Sequence, residues 1–402
     1  MRNITGEQRF NQQQEELEKD LESRLDNDDL PVAHIMVAGI TGTGKSTLIN
    51  AVFGDDLAAT GRGKPVTKSI DEYDGGDIPI HIWDTVGLEL DSEKTKESIA
   101  AIKATIASKA ESDDKYDRIH AIWYCINSGS NRYQGVELEF IKELYAIGVP
   151  FIIVLTQCSG DEEEINAFEA EIRKTNILMG MEDIEIVQVL ALPVKYRGMT
   201  TPIPAFGLDK LVDITLQLLP SFIKRGFIAA QGVSQSKKRN ECEEIICSYV
   251  SAAQRGFWDK VPLINVWKTD RRIMKMFRKL GKIYNTVLSQ DSIQRIANGS
   301  GVDFKNNFWG LISPVDLGYS KKITALFEKK KEDGFSVKVS DIEKNERAAR
   351  MIAFYGYTFI DSIEELWKSF TEEQLKDVDT VVAQLIVIIN RKLKERKAEA
   401  GE

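Results

Sequence analysis

The stretch Gly39-Ile40-Thr41-Gly42-Thr43-Gly44-Lys45-Ser46-Thr47 has the form G-x-x-x-x-G-K-[ST] and reads as a phosphate-binding loop. Its glycines let successive backbone N–H groups turn toward one point and cradle the α- and β-phosphates of a nucleotide, with Thr41, Thr43 and Thr47 among the lining residues. Lys45 supplies a point charge to the β/γ oxygens, and the Ser46 hydroxyl is placed to bind Mg²⁺. The flanks agree with this. Residues 34–40 are an apolar run expected of a buried parallel strand, and residues 46–53 continue as an apolar-periodic helix. A strand that passes through a Gly-rich turn into a helix aims the helix N-terminus at an anion.

A second site element follows at a fixed distance. Residues 78–85 predict another strand, ending in Asp84-Thr85-Val86-Gly87, with Asp84 39 residues after Lys45. A carboxylate at a strand end beside a phosphate loop can hold a Mg²⁺-bound water, and the Gly87 N–H can meet a γ-phosphate. Between the two motifs, residues 54–69 contain Gly54, Gly61, Gly63 and Pro65 and show no periodicity, so a mobile loop is expected there. Such a loop can bring a hydroxyl to the metal when γ-phosphate is present. Thr67 is the candidate and Thr60 its rival.

Downstream, strands are expected at 118–127, 150–155 and 184–192, with helices at 93–110, 136–147, 161–174 and 208–222. Strands alternating with helices predict an α/β domain whose mostly parallel sheet is covered on both faces. Beyond residue 222 the pattern becomes helical, with segments at 243–257, 267–284, 348–370 and 372–397. The expected organisation is an N-terminal amphipathic helix in residues 1–30, a nucleotide-binding domain at 31–225 and an all-α domain at 226–402.

The chain of 402 residues is long enough for two cores. It has no run of about eighteen apolar residues, the length that spans a bilayer, and its first thirty residues are polar and acidic; a cytoplasmic protein is expected. Cys125, Cys158, Cys242 and Cys247 lie in no metal or redox spacing, and three histidines make a zinc site improbable. Residues 1–220 carry a net charge of −17 and residues 221–402 carry +8. The basic half could contact an anionic surface, or its charge could simply be solvated; no specific nucleic acid is indicated.

Taken together, these motifs resemble the translation-factor-related class of P-loop GTPases, within it the Era/TrmE-like, septin and immunity-related groups. The resemblance rests on the loop at 39–47, Lys64-Pro65-Val66-Thr67 and Trp83-Asp84-Thr85-Val86-Gly87, and covers roughly residues 32–222. It implies a switch that binds GTP/GDP with Mg²⁺, metal contacts from Ser46, Thr67 and Asp84, and catalytic roles for Lys45, Thr67 and Gly87. Two positions depart from the pattern. Leu88 stands where Ras-like proteins place the Gln that orients water, which implies slow intrinsic hydrolysis or a water held by another group or a partner. At the guanine-reading motif, Asn/Thr-Lys-x-Asp in the family, this chain has Thr156-Gln157-Cys158-Ser159: Thr156 fits, Gln157 replaces the lysine, and Ser159 stands in place of the base-binding carboxylate unless Asp161 reaches back. The Leu190-Ala191-Leu192 segment is the counterpart of the last base-contacting loop.

The second half resembles the helical domain of some bacterial Era-like GTPases through Val261-Pro262-Leu263 and Ala353-Phe354-Tyr355-Gly356-Tyr357. Residues 267–284 set Ile273, Met274, Met276, Phe277, Leu280 and Ile283 against seven basic residues, which suits either an anionic lipid surface or a core helix with a solvated basic face. Residues 381–389 suit a core or an oligomer face. The leading expectation is a GTPase switch whose helical domain transmits the nucleotide state to a protein partner, a second G domain or a peripheral anionic membrane. A pseudo-GTPase scaffold and an NTPase of relaxed base specificity are the alternatives.

Overall fold

The computed structural model describes residues 30–54, 57–58, 63–67, 70–85, 92–111, 117–130, 133, 135–254, 265–286, 288–300, 339–371, 374–375 and 377–399. The helix expected within residues 1–30, together with Thr60, Gly87 and Leu88, lies outside the described residues. The chain divides into two compact units that meet between Gln235 and Ser236.

In the first unit the strands are β1 (Ala33–Gly39), β2 (Gly63–Thr67), β3 (Ile70–Asp74), β4 (Ile80–Thr85), β5 (Ala121–Asn127), β6 (Phe151–Thr156) and β7 (Glu185–Gln188). They form one sheet in the order β2-β3-β4-β1-β5-β6-β7. The five strands from β4 to β7 run parallel, and β2 and β3 are antiparallel additions at one edge. The helices of this unit are α1 (Lys45–Phe53), α2 (Ser92–Ala110), α3 (Val136–Tyr145), α4 (Glu162–Leu178), α5 (Leu208–Leu218) and α6 (Ser221–Ala230).

Alternation along the strands places side chains in two separate cores. Met36, Tyr124, Ile126, Ile153 and Leu155 face α2, α3 and α4, where they meet Ile102, Phe140 and Phe168. Ile35, Val37, Trp123, Cys125 and Val154 face the other side and meet Leu48, Val212 and Phe227 of α1, α5 and α6. Each large side chain taken fully from water contributes roughly 1.5–3 kcal/mol, so both faces of the sheet are covered. Trp123 stacks on Phe53 at 5.8 Å and donates its Nε1–H to Thr215 Oγ1 at 3.1 Å, satisfying the polar end of a buried indole.

Two expectations change. The loop expected over residues 54–69 contains a strand, because Gly63–Thr67 pairs antiparallel with the unforeseen β3. β3 reads IDEYD, with only Ile70 buried, so its backbone pairing and not its apolar content makes it a strand. The single helix expected over 208–222 is two, since Pro220 holds Leu219 extended and starts α6. α6 straddles the expected 225/226 division, and its Ile223, Phe227 and Ala230 belong to the core of the first unit.

The second unit is helical: α7 (Gln235–Gln254), α8 (Asn265–Ile283), α9 (Gln290–Gly299), α10 (Val339–Ser369) and α11 (Val378–Glu399). On α8, Ile273, Met276, Phe277, Leu280 and Ile283 are all buried, and Phe277 stacks on Phe359 of α10 at 4.2 Å. The apolar stripe of α8 is therefore core and is not offered to lipid. Val381, Val382, Leu385 and Ile389 of α11 are likewise buried. Gly356 on α10 lets Ile246 of α7 approach so closely that a Cβ there would meet its side chain at 2.8 Å. Arg239 of α7 bridges Asp361 and Glu364 of α10 at 3.0 and 2.7 Å. No helix among the described residues is long and apolar enough to cross a membrane.

Candidate nucleotide site

The site lies at the carboxyl ends of the parallel strands, where β1 sits between β4 and β5 and connections leave in both directions. Gly42 and Gly44 adopt φ of 83° and 84°, which turns the loop backbone inward and is costly for any residue with a Cβ. At Gly39 the constraint is close approach: a Cβ would come within 2.4 Å of the Cys125 carbonyl oxygen on the neighbouring strand. Thr43 closes the turn by donating its N–H and its hydroxyl to Ile40 O, at 3.3 and 2.9 Å.

Lys45 is buried, and its Nζ donates to Gly39 O at 3.1 Å and to Ile40 O at 3.4 Å. The ammonium is thus held inside the loop that the sequence assigns to phosphates. Ser46 and Thr47 are exposed at the first turn of α1, and Thr41 and Gly42 are exposed on the loop itself. Gly44 caps α1 without a side-chain acceptor, so the helix offers its first N–H groups to an incoming anion.

Asp84, the penultimate residue of β4, lies directly beside Val37 of β1 and opposite Asp71 of β3. It is buried, and its Oδ1 has no hydrogen-bond partner among the described residues. Burial raises its pKa to about 6; Lys45 pulls it down and Asp71 pushes it up. A buried, unpartnered carboxylate oxygen next to a phosphate loop fits a Mg²⁺-bound water, and with the exposed Ser46 hydroxyl it makes the donor set such an ion takes. Thr67 ends β2, paired with Ile70.

Thr156 and Gln157 come to the loop from the end of β6. Thr156 Oγ1 donates to Thr43 O at 2.5 Å, with Ile126 O at 3.1 Å. Gln157 stands in the left-handed region at φ 56°; its Nε2 donates to Gly42 O at 2.9 Å and its Oε1 accepts from Asn127 Nδ2 at 3.3 Å. Ser128 Oγ donates to Gln157 O at 3.1 Å. The residue at the family's lysine position therefore braces the phosphate loop. Asp161 does not stand in for the missing carboxylate, because its Oδ1 caps α4 by accepting from Glu163 N and Glu164 N at 3.0 and 3.1 Å. Asn127, Ser128 and Asp71 escaped the sequence reading; an Asn-Ser pair at a strand end was the available signal for the first two.

Residues 34–157 match the family described as 50S ribosome-binding GTPase. Two curated relatives, the tRNA modification GTPases MnmE of Bordetella petrii and Bordetella avium, are each 41% identical over 68 residues, 16% of this chain. That match spans 15% of the relatives' own length. Among solved structures, a variant of Aquifex aeolicus Era bound to GDP and aluminium fluoride is 19% identical over 58% of this chain and 70% of its own, with a TM-score of 0.33. A probable GTP-binding protein EngB is 18% identical over 46% of this chain and 98% of its own, also at 0.33.

Proposed function

We propose that this chain, whose residues 34–157 are a P-loop GTPase domain of the TrmE/Era-like kind, binds GTP and hydrolyses it to GDP and phosphate as a nucleotide-dependent switch. The observation that carries this reading is the convergence of Lys45, held inside the glycine loop, with a buried Asp84 whose Oδ1 lacks a partner among the described residues. Mg²⁺, held through Asp84 and Ser46, would supply positive charge to offset that of the phosphates. The chain's own residues do the rest. Lys45 neutralises phosphate charge, the loop N–H groups orient the polyphosphate, and Asp84 and Ser46 position the ion and its waters. Thr67 and the Gly87 N–H act only when a γ-phosphate is present, which makes them the switch contacts.

Hydrolysis by the isolated protein is slow, since Leu88 offers no group to orient the attacking water. The helical unit transmits the nucleotide state to a protein partner, to a second G domain, or to an anionic surface by charge alone. Multiple-turnover assays with GTP, together with GDP and GTP affinities of Thr67→Ala, test the proposal. The variant should retain GDP affinity and lose hydrolysis. Equal damage to both nucleotides would make Thr67 structural, and hydrolysis absent under every condition despite tight binding would leave a scaffold.

A further inference from the structure

We infer that the paired hydroxyls of Ser159 and Tyr196 read the base of the bound nucleotide and accept xanthine about as well as guanine, an inference that rests on the reading of residues 39–46 as the phosphate site. Their oxygens are 2.7 Å apart, and both groups are exposed. Position is the first support. Gln157 is bonded to Gly42 of the phosphate loop, and Ser159 lies two residues further along the same turn, its N–H donating to Gln157 O at 2.7 Å. Cys158 N donates to Val189 O at 3.2 Å, which draws the segment after β7 against this turn. A ligand whose phosphates lie at Gly42 and Lys45 has the metal-binding acid Asp84 on the β4 side and this neutral hydroxyl pair on the β6 side.

Rigidity is the second support. Residues 190–206 leave the sheet as an antiparallel excursion joined by Leu190 with Phe206 and Val194 with Ile203. Its base is fixed at Gly207, whose φ of 82° and approach to Gln188 O, 1.9 Å from a would-be Cβ, admit only glycine. Tyr196 stands on this excursion with 48% of its surface exposed and its hydroxyl tethered to Ser159. A planar side chain already held in one orientation binds a flat ligand at little further entropic cost.

The chemistry follows from the proton count. A carboxylate offers only acceptors, so it pairs with the N1–H and 2-amino donors of guanine and repels the 2-carbonyl of xanthine. Two coupled hydroxyls share one internal hydrogen bond and retain one further proton as well as lone pairs on each oxygen. They can accept from N1–H and then either accept from the 2-amino group or donate to the 2-carbonyl.

Dissociation constants of GTP and XTP with Mg²⁺, measured on the full chain and on Ser159→Asp and Tyr196→Phe, test this. The native protein should bind the two within about tenfold, and Ser159→Asp should shift the ratio toward GTP by about tenfold or more. Tyr196→Phe keeps the ring and removes one hydroxyl, and should weaken both triphosphates by about fivefold while leaving competition by inorganic pyrophosphate unchanged. A native preference for GTP well above tenfold, or affinities unmoved in Tyr196→Phe, would overturn the inference and leave the phosphate site intact. Failure of every nucleotide and of pyrophosphate to bind would overturn the site reading and this inference together.

Discussion

Gln157 and Gly42, 115 residues apart in sequence, are joined by a hydrogen bond of 2.9 Å from the glutamine amide to the glycine carbonyl. Gln157 adopts a left-handed backbone that a non-glycine residue rarely takes, and the bonds from Asn127 and Ser128 hold it there. Gln157→Ala removes the brace while leaving Lys45 in place. Loss of one net hydrogen bond, about 1 kcal/mol, should weaken GDP and GTP alike by about fivefold, read with a fluorescent nucleotide. An effect confined to one base or to GTP alone would show that Gln157 contacts the ligand instead.

Lys45→Ala removes the ammonium held by Gly39 O and Ile40 O within the loop. A hydrogen-bonded charge lost from a phosphate site costs up to about 3 kcal/mol, so nucleotide affinity should fall on the order of a hundredfold. The far-ultraviolet circular dichroism should be unchanged, since the side chain belongs to neither core. Unaltered affinity would sink the phosphate-loop assignment.

Asp84 separates stability from function. Its pKa in the fold, about 6 against an ordinary 3.8, means that burial penalises the charged form. The penalty is absent below about pH 4, grows as pH rises through the window between the two values, and is complete above about pH 6. Asp84→Asn should therefore stabilise the nucleotide-free protein at pH 7 by up to about 3 kcal/mol, with the gain vanishing toward pH 4. The same variant should lose Mg²⁺-dependent nucleotide binding. Native binding should weaken as pH falls below 6, because a proton then competes with the ion. Urea titrations at several pH values, and nucleotide binding with and without Mg²⁺, check both halves.

His34 lies at the opposite end of β1 among His81, His120 and Trp83, with the Lys109–Asp117 ion pair nearby. Burial, then the neighbouring His81, His120 and Lys109, lower its pKa to about 3, with Asp117 opposing. The folded state binds this proton less readily than the unfolded chain, so stability is full above pH 6.5 and declines as pH falls toward 3. At pH 5 the loss from this residue should be about 2 kcal/mol. His34→Gln should flatten the dependence of unfolding free energy on pH between 7 and 5. An unchanged slope would assign acid sensitivity to other groups.

By itself, the sequence determined the α/β class, the phosphate loop and the carboxylate at the end of β4. Each is written in local order: an apolar run, then glycines, then Lys45 and Ser46, with the helix following at once. It also determined that the second half is helical, because long apolar periodicities need no distant partner to be recognised. Tertiary structure alone decided where less local patterns went. β3 carries three acidic residues in IDEYD and becomes a strand only because β4 and β2 supply its hydrogen bonds. The amphipathic stripe of α8 can be read as a lipid face or, more readily, as a core face, and Phe359 of α10 settles it as core. Gln157 and Asp161 could each have turned toward a base. A carbonyl 115 residues away holds the first on the phosphate loop, and the open N–H groups of α4 hold the second as a cap. A hydrogen bond between residues far apart in sequence leaves no periodic trace, and here such a bond decides where the Gln157 side chain is held.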